Sequence, residues 1–236
     1  MKSFLLFVFT LFSIRSYSQK INQTSFDTSL GQQILLKFDY PVVKVSTWNK
    51  NKVSILMHVL INGKEDNGAY NISHKLVDNK MVFTGELNDT YSIPFMHKAF
   101  HHGQVTPEST NSGKWYLGWK EKKKILISDF NIVAEIQIPI NCVTSIESTY
   151  GLVEVKHFSG PLTITSIYGG IDVTLVTSEV GKLQATINYG EIFTDLDLRL
   201  TEHTQHDFFE SISAEPGDGP EYIFTSTYGK IYLRKP

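Results

Sequence analysis

Leu162-Thr163-Ile164-Thr165-Ser166-Ile167-Tyr168-Gly169-Gly170-Ile171-Asp172-Val173 is the stretch that decides the fold. Apolar residues alternate with polar ones from Leu162, the period of a strand with one buried face. Inward positions step by two up to Tyr168 and then jump by three, to Ile171. One residue is inserted at Tyr-Gly, which in a strand is a bulge or a corner. Glycine is expected there for its tolerance of positive φ.

The same pattern recurs at Ser148-Thr149-Tyr150-Gly151, Ile187-Asn188-Tyr189-Gly190 and Ser226-Thr227-Tyr228-Gly229, with glycine spacings of 18, 21 and 39 residues. Aligned on that glycine, Thr144, Leu162, Leu183 and Tyr222 fall in one column and Ile146, Ile164, Ala185 and Phe224 in the next. Beyond the corner come Val153, Ile171, Ile192 and Ile231, then Val155, Val173, Thr194 and Leu233. Gly160 and Gly181 stand nine residues before two of the corners. One such period cannot bury its own apolar face, whereas stacked periods can. The expected fold is therefore all-β, a β-solenoid or β-roll of stacked 18–21-residue coils with Tyr-Gly corners. Like columns would lie about 4.8 Å apart. Ile171 would sit between Val153 and Ile192, and Tyr150, Tyr168 and Tyr189 would form a ladder. The longest spacing is close to two periods, so Asp197 to Pro220 would hold a degenerate coil with a loop.

Upstream, Val43 and Val45 alternate with polar residues, as do Val53, Ile55 and Met57 after a turn at Trp48-Asn49-Lys50-Asn51. A second pair runs through Tyr70–Leu76 and Met81–Phe83 around Asp78-Asn79. Residues 19–91 thus read as an N-terminal β unit, antiparallel or coiled, continuous with the Tyr-Gly repeat region at 125–236. Between them, 92–124 is irregular, rich in Pro, Gly, His and Trp, and closes on Lys120, Lys122, Lys123 and Lys124. A loop of that length inside a β domain is unusual.

The chain opens on Lys2 and an apolar run to Ile14, followed by small residues at Ser16 and Ser18. That reads as a signal peptide over 1–18, cut before Gln19. The run falls short of the roughly 20 residues that span a bilayer. No later segment is long and apolar enough to do so, so no transmembrane segment is expected once the leader is removed. Export places the chain in the periplasm, at the cell surface or outside the cell. Loss of Lys2 and Arg15 takes the net charge from −2 to −4, no footprint for nucleic acid. Cys142 is the single cysteine. An internal disulfide is excluded, and Cys142 reads as an inert buried thiol.

The segment from Val42 to Val53, Val-Val-Lys-Val-Ser-Thr-Trp-Asn-Lys-Asn-Lys-Val, resembles the opening of the bacterial β-strand-repeat domain known as "putative adhesin". Ile136-Gln137-Ile138-Pro139-Ile140-Asn141, leading into the Tyr-Gly coils, resembles it too. The resemblance covers most of 35–236. It implies a β-roll or β-helix, an extracytoplasmic location and a function undefined beyond the name. It brings no catalytic residues with it.

Chemistry is sparse. His97, His101 and His102 cluster, and His203 and His206 form His-x-x-His. However, His101 and His102 would face opposite sides of a strand and no zinc-type spacing lies nearby, so neither metal nor cofactor is expected. Glu154 and Asp172 share an outward column, and paired carboxyls about 5–5.5 Å apart are what a retaining glycosidase needs. Phe193 and Tyr232 continue that column, where a structural sheet would favour polar residues. Trp115, Tyr116 and Trp119 offer a second aromatic group, read either as a partner site or as a cap on the core. Two functions stand. One is a non-catalytic envelope or surface protein, adhesin-like or structural, whose partner is an envelope protein or a glycan. The alternative is a polysaccharide-acting enzyme on a β-helix.

Overall fold

The computed structural model describes residues 23–29, 31–92, 125–127 and 129–236. The leader at 1–18 and all of 92–124 except Ser92 lie outside these. The described chain is all-β apart from one 3-10 turn at Thr177–Glu179. Two large mixed sheets enclose a single apolar core. The first runs, strand beside strand, through β1 (Gln23–Asp27), β4 (Lys52–Ile61), β10 (Phe130–Pro139), β3 (Val42–Trp48), β12 (Val153–Val155), β14 (Ile171–Thr174), β20 (Lys230–Arg234) and β16 (Glu191–Thr194). The second runs through β17 (Leu200–His206), β18 (Phe209–Ala214), β15 (Lys182–Asn188), β19 (Glu221–Ser226), β13 (Leu162–Ser166), β11 (Thr144–Ser148), β2 (Gln33–Phe38), β7 (Lys80–Leu87) and β6 (Tyr70–Val77). Short β5 (Lys64–Glu65) flanks β4, and β8 (Tyr91–Ser92) pairs with β9 (Ile125–Leu126).

The columns read from the sequence are rows of this structure. Thr144, Leu162, Tyr222 and Leu183 face one another across parallel strands, as do Ile146, Ile164, Phe224 and Ala185. Past the corner, Val153, Ile171, Ile231 and Ile192 form one row. Nearly all are buried, and burying each aliphatic side chain stabilises by about 1.5–3 kcal/mol. The exceptions lie on edge strand β16, where Ile192 is half-buried and Thr194 exposed.

The order of stacking corrects the expectation. The period β19–β20, last in sequence, is inserted between β13–β14 and β15–β16. Ile171 therefore lies between Val153 and Ile231 rather than beside Ile192. Asp197 to Pro220 holds no degenerate coil. Most of it is the antiparallel hairpin β17–β18, laid on β15. With Leu196 buried and Leu198 packed on the core, 195–214 closes this end of the sandwich.

An unrecognised period stands at the other end of the stack. Strands β2 and β3 flank Tyr40-Pro41, and Ile34, Leu36, Val43 and Val45 pair with the columns above. Upstream, β3 and β4 do not pair, because β10 runs between them. The hairpin β6–β7 turns on Asp78 and Asn79 as expected, both at positive φ.

The corner glycines do not serve a positive φ. None of Gly151, Gly169, Gly190 and Gly229 has positive φ. What requires glycine is close approach. A Cβ on Gly151 would lie 1.7 Å from the Pro41 carbonyl oxygen, and one on Gly169 2.1 Å from that of Gly151. One on Gly229 would lie 2.0 Å from the Gly169 oxygen, and one on Gly190 2.1 Å from that of Gly229. Each corner thus rests on the backbone of the last. Pro41 is accepted at the first corner of this row. Of the two glycines upstream, Gly160 does have positive φ, at 124°, while a Cβ on Gly181 would lie 2.0 Å from the Gly219 oxygen. Beneath the corners runs a buried row of Ser148, Ser166 and Ser226. The Ser148 hydroxyl donates to the Gly151 carbonyl at 2.8 Å, whereas Ser166 and Ser226 find no partner among the described residues.

Candidate functional site

The corners set the tyrosines on the outside. Rings stack as Tyr40, Tyr150, Tyr168, Tyr228, Tyr189 and Phe208, with centroids 5.1–5.4 Å apart and planes within 25° of parallel. The expected ladder of Tyr150, Tyr168 and Tyr189 is therefore interrupted by Tyr228 and lengthened at both ends. Two residues there had no place in the sequence reading. Tyr40 carried a signal, since its flanks match the repeat columns. Phe208 carried none, because it arrives through the hairpin turn. Stacked rings one strand apart gain contact beyond their buried area.

Exposure rises along the row, from half-buried Tyr40 and Tyr150 through Tyr168 and Tyr228 to Tyr189 at 57% and Phe208 at 67%. Burial, and secondarily the Asp39 carboxylate, holds the Tyr40 phenol above its ordinary pKa. Burial also raises that of Tyr150. Tyr189 has φ of 53°, the only corner tyrosine in the left-handed region.

A second aromatic group lies on the outer face of the first sheet, at the same end. Phe193 on β16 and Tyr232 on β20 are direct neighbours in register, with ring centroids 5.1 Å apart and planes 16° apart. Lys230 Nζ sits 5.3 Å from the Phe193 centroid and the Arg234 guanidinium 4.6 Å from that of Tyr232. Such cation–ring contacts hold a cation without removing it from water. Phe193 is exposed and Tyr232 half-buried. Strand alternation sends both outward, and insertion of β20 beside β16 brings them together.

The carboxylates of the outward column lie opposite each other, Glu154 beside Asp172. Each has a cation. Arg234 Nε donates to Asp172 Oδ1 at 2.8 Å, a bond that raises the arginine pKa, and Lys44 Nζ lies 3.9 Å from Glu154. Beyond them, Gln23, Lys44, Ser46, Ser54, Glu135 and Lys156 border a shallow concavity of about 360 Å³.

His203 and His206 fall on opposite faces of β17. His203 Nε2 lies 3.4 Å from Glu210 Oε1, while His206 stacks on Phe209. No group of three or more His, Cys, Asp and Glu side chains that could hold a metal ion occurs among the described residues. Cys142 is only half-buried, and burial raises its thiol pKa. Trp115, Tyr116 and Trp119 lie outside the described residues.

No protein-family model matches the chain, and comparison with curated proteins finds no match. Among solved structures it is similar to a "putative cell adhesion protein" from Clostridium sporogenes. The two are 10% identical, the match covers 92% of this chain and 100% of the other, and the TM-score is 0.44. No helix of the described residues is long and apolar enough to cross a membrane.

Proposed function

We propose that this chain is an exported, non-catalytic β-repeat protein that binds an envelope protein or glycan through exposed aromatic side chains. The carrying observation is the aromatic surface itself. Tyr168, Tyr189, Tyr228, Phe208 and Phe193 all stand exposed on a framework of hydrogen-bonded strands. Large rigid rings supply contact area at little conformational cost, which is why they anchor many binding surfaces. The resemblance of Val42–Val53 and Ile136–Asn141 to the adhesin-named repeat domain points the same way. With it goes the finer fold reading, in which the parallel periods form a short β-roll. Non-catalysis draws support from the carboxylates, since Asp172 and Glu154 each have a cation close by.

The test is retention of partners from envelope extract by the immobilised chain. Phe193→Ala with Tyr232→Ala is expected to cut retention about tenfold while lowering the melting temperature only slightly. Glu154→Gln with Asp172→Asn is expected to leave retention unchanged. If the carboxylate pair instead abolishes an activity on envelope polysaccharide, the enzyme reading replaces this one. Export has its own measurement. The intact mass of the exported chain is expected to correspond to a start at Gln19, and a chain still beginning at Met1 would contradict the leader reading.

A further inference from the structure

We infer that β17 is a self-pairing edge, through which two copies of this chain form a closed dimer. It is the outermost strand of its sheet, and all seven residues from Leu200 to His206 are exposed. An open strand edge presents unpaired backbone groups and is a template for another strand unless protected. The other edges carry protection. Strand β16 has only four residues, and its Ile192 amide donates to the Glu210 carboxylate at 3.3 Å. Strands β1 and β6 are tied across the far end by Phe26, which packs on His74 and Phe83, and β6 presents Lys75. Strand β17 contains neither lysine nor proline, and its one irregularity is a register shift between Leu200 and Glu202, at its end.

The occupant follows from the sequence of the edge. Two copies related by a twofold axis perpendicular to the sheet pair antiparallel, each using the same surface. Centred on Thr204, that pairing sets Glu202 opposite His206 of the second copy, and His206 opposite its Glu202. His203 meets Gln205, and Thr204 meets itself. Centring on His203 would face histidine with histidine and lose both carboxylate–imidazole pairs. Centring on Gln205 would set Glu202 against Phe208. Within the described residues Glu202 forms no ion pair, and Lys182, already paired with Glu221, feels its charge only at longer range. Pairing about Thr204 also keeps the outer faces of the joined sheets on one side.

Sedimentation velocity on the whole chain tests this. A closed dimer is expected at tens of micromolar. His206→Glu sets like charges opposite each other twice and is expected to weaken the dimer about tenfold. His206→Glu with Glu202→Arg sets opposite charges at both positions and is expected to restore the dimer, each variant keeping its β-type circular dichroism spectrum. A second measurement does not depend on those folds. In a Cys142→Ser background, Thr204→Cys is expected to form a covalent dimer on mild oxidation, since facing strand positions lie within disulfide reach. Thr165→Cys in the same background is expected to stay monomeric under reducing-free electrophoresis. A wild-type monomer at 100 μM (about the top of the range needed for a weak specific contact), an open-ended polymer, or a dimer indifferent to the charge changes would overturn the inference.

Discussion

Gly169→Ala is expected to lower stability by about 3 kcal/mol or more, the upper range for forcing an extra methyl into a packed site. In a chain of this size that is a fall of roughly 6–12 °C in melting temperature. The new Cβ would stand 2.1 Å from the Gly151 carbonyl oxygen and 2.7 Å from its carbon, both backbone atoms. No side chain can rotate away, so the two periods must separate or the corner must refold. Separation would also disturb the parallel pairing of β11 with β13 and the Tyr150–Tyr168 stack. Gly68→Ala is the control, since its Cβ would meet only Asp66 Oδ1 at 3.5 Å. Its effect should stay within about 0.5 kcal/mol. Thermal unfolding by circular dichroism measures both, and equal losses would mean that close approach is not what selects glycine at the corners.

Ile171→Asp is the second large effect. Ile171 is fully buried between Val153 and Ile231. A carboxylate there would have no partner and should cost about 4 kcal/mol or more. The pH dependence carries a sign. Burial without a partner raises the acid's pKa in the folded state, so the folded chain binds more protons than the unfolded one and stability falls as pH rises. The deficit should grow from the ordinary aspartate pKa upward until the raised value is passed, and shrink in mild acid. Asp172→Asn, one residue on and outward, removes the charge but not the acceptor oxygen that faces Arg234 at a partly exposed site, and should cost about 0.5 kcal/mol or less. A deficit at Ile171 no larger than that at Asp172 would invert the inner and outer faces.

The register was legible because it is written in local alternation. Which residue of one period faces which of the next follows from the offset to the corner, and every column from Thr144 to Leu233 kept its members. Spatial order was not legible. Any period can follow any other when all present the same rows, and nothing near Gly190 or Gly229 distinguishes a neighbour from a newcomer. Tyr40-Pro41 was missed because proline replaced the marker glycine, although Ile34, Leu36, Val43 and Val45 stood at the right offsets. The reason for glycine was misjudged because a corner suggests unusual dihedrals, whereas close backbone approach appears only once periods are stacked. At the candidate site, the outward placement of Phe193 and Tyr232 was readable from alternation. Their stacking was not, because a degenerate coil was expected between the two periods, and Lys230 and Arg234 over the rings likewise needed the strands in place.

Everything at the aromatic end depends on β19–β20 lying between β13–β14 and β15–β16, and disulfide trapping tests that order most directly. In a Cys142→Ser background, Thr165→Cys with Thr225→Cys joins positions that face each other across β13 and β19. Thr165→Cys with Thr186→Cys joins positions separated by β19, which sequential stacking would instead make neighbours. Facing strand positions about 4.8 Å apart fall within disulfide reach, and positions two strands apart do not. Mild oxidation followed by intact-mass measurement is expected to show loss of two hydrogens in the 165/225 pair and free thiols in the 165/186 pair. A closed 165/186 disulfide with an open 165/225 pair would contradict the insertion and, with it, the Phe193–Tyr232 surface.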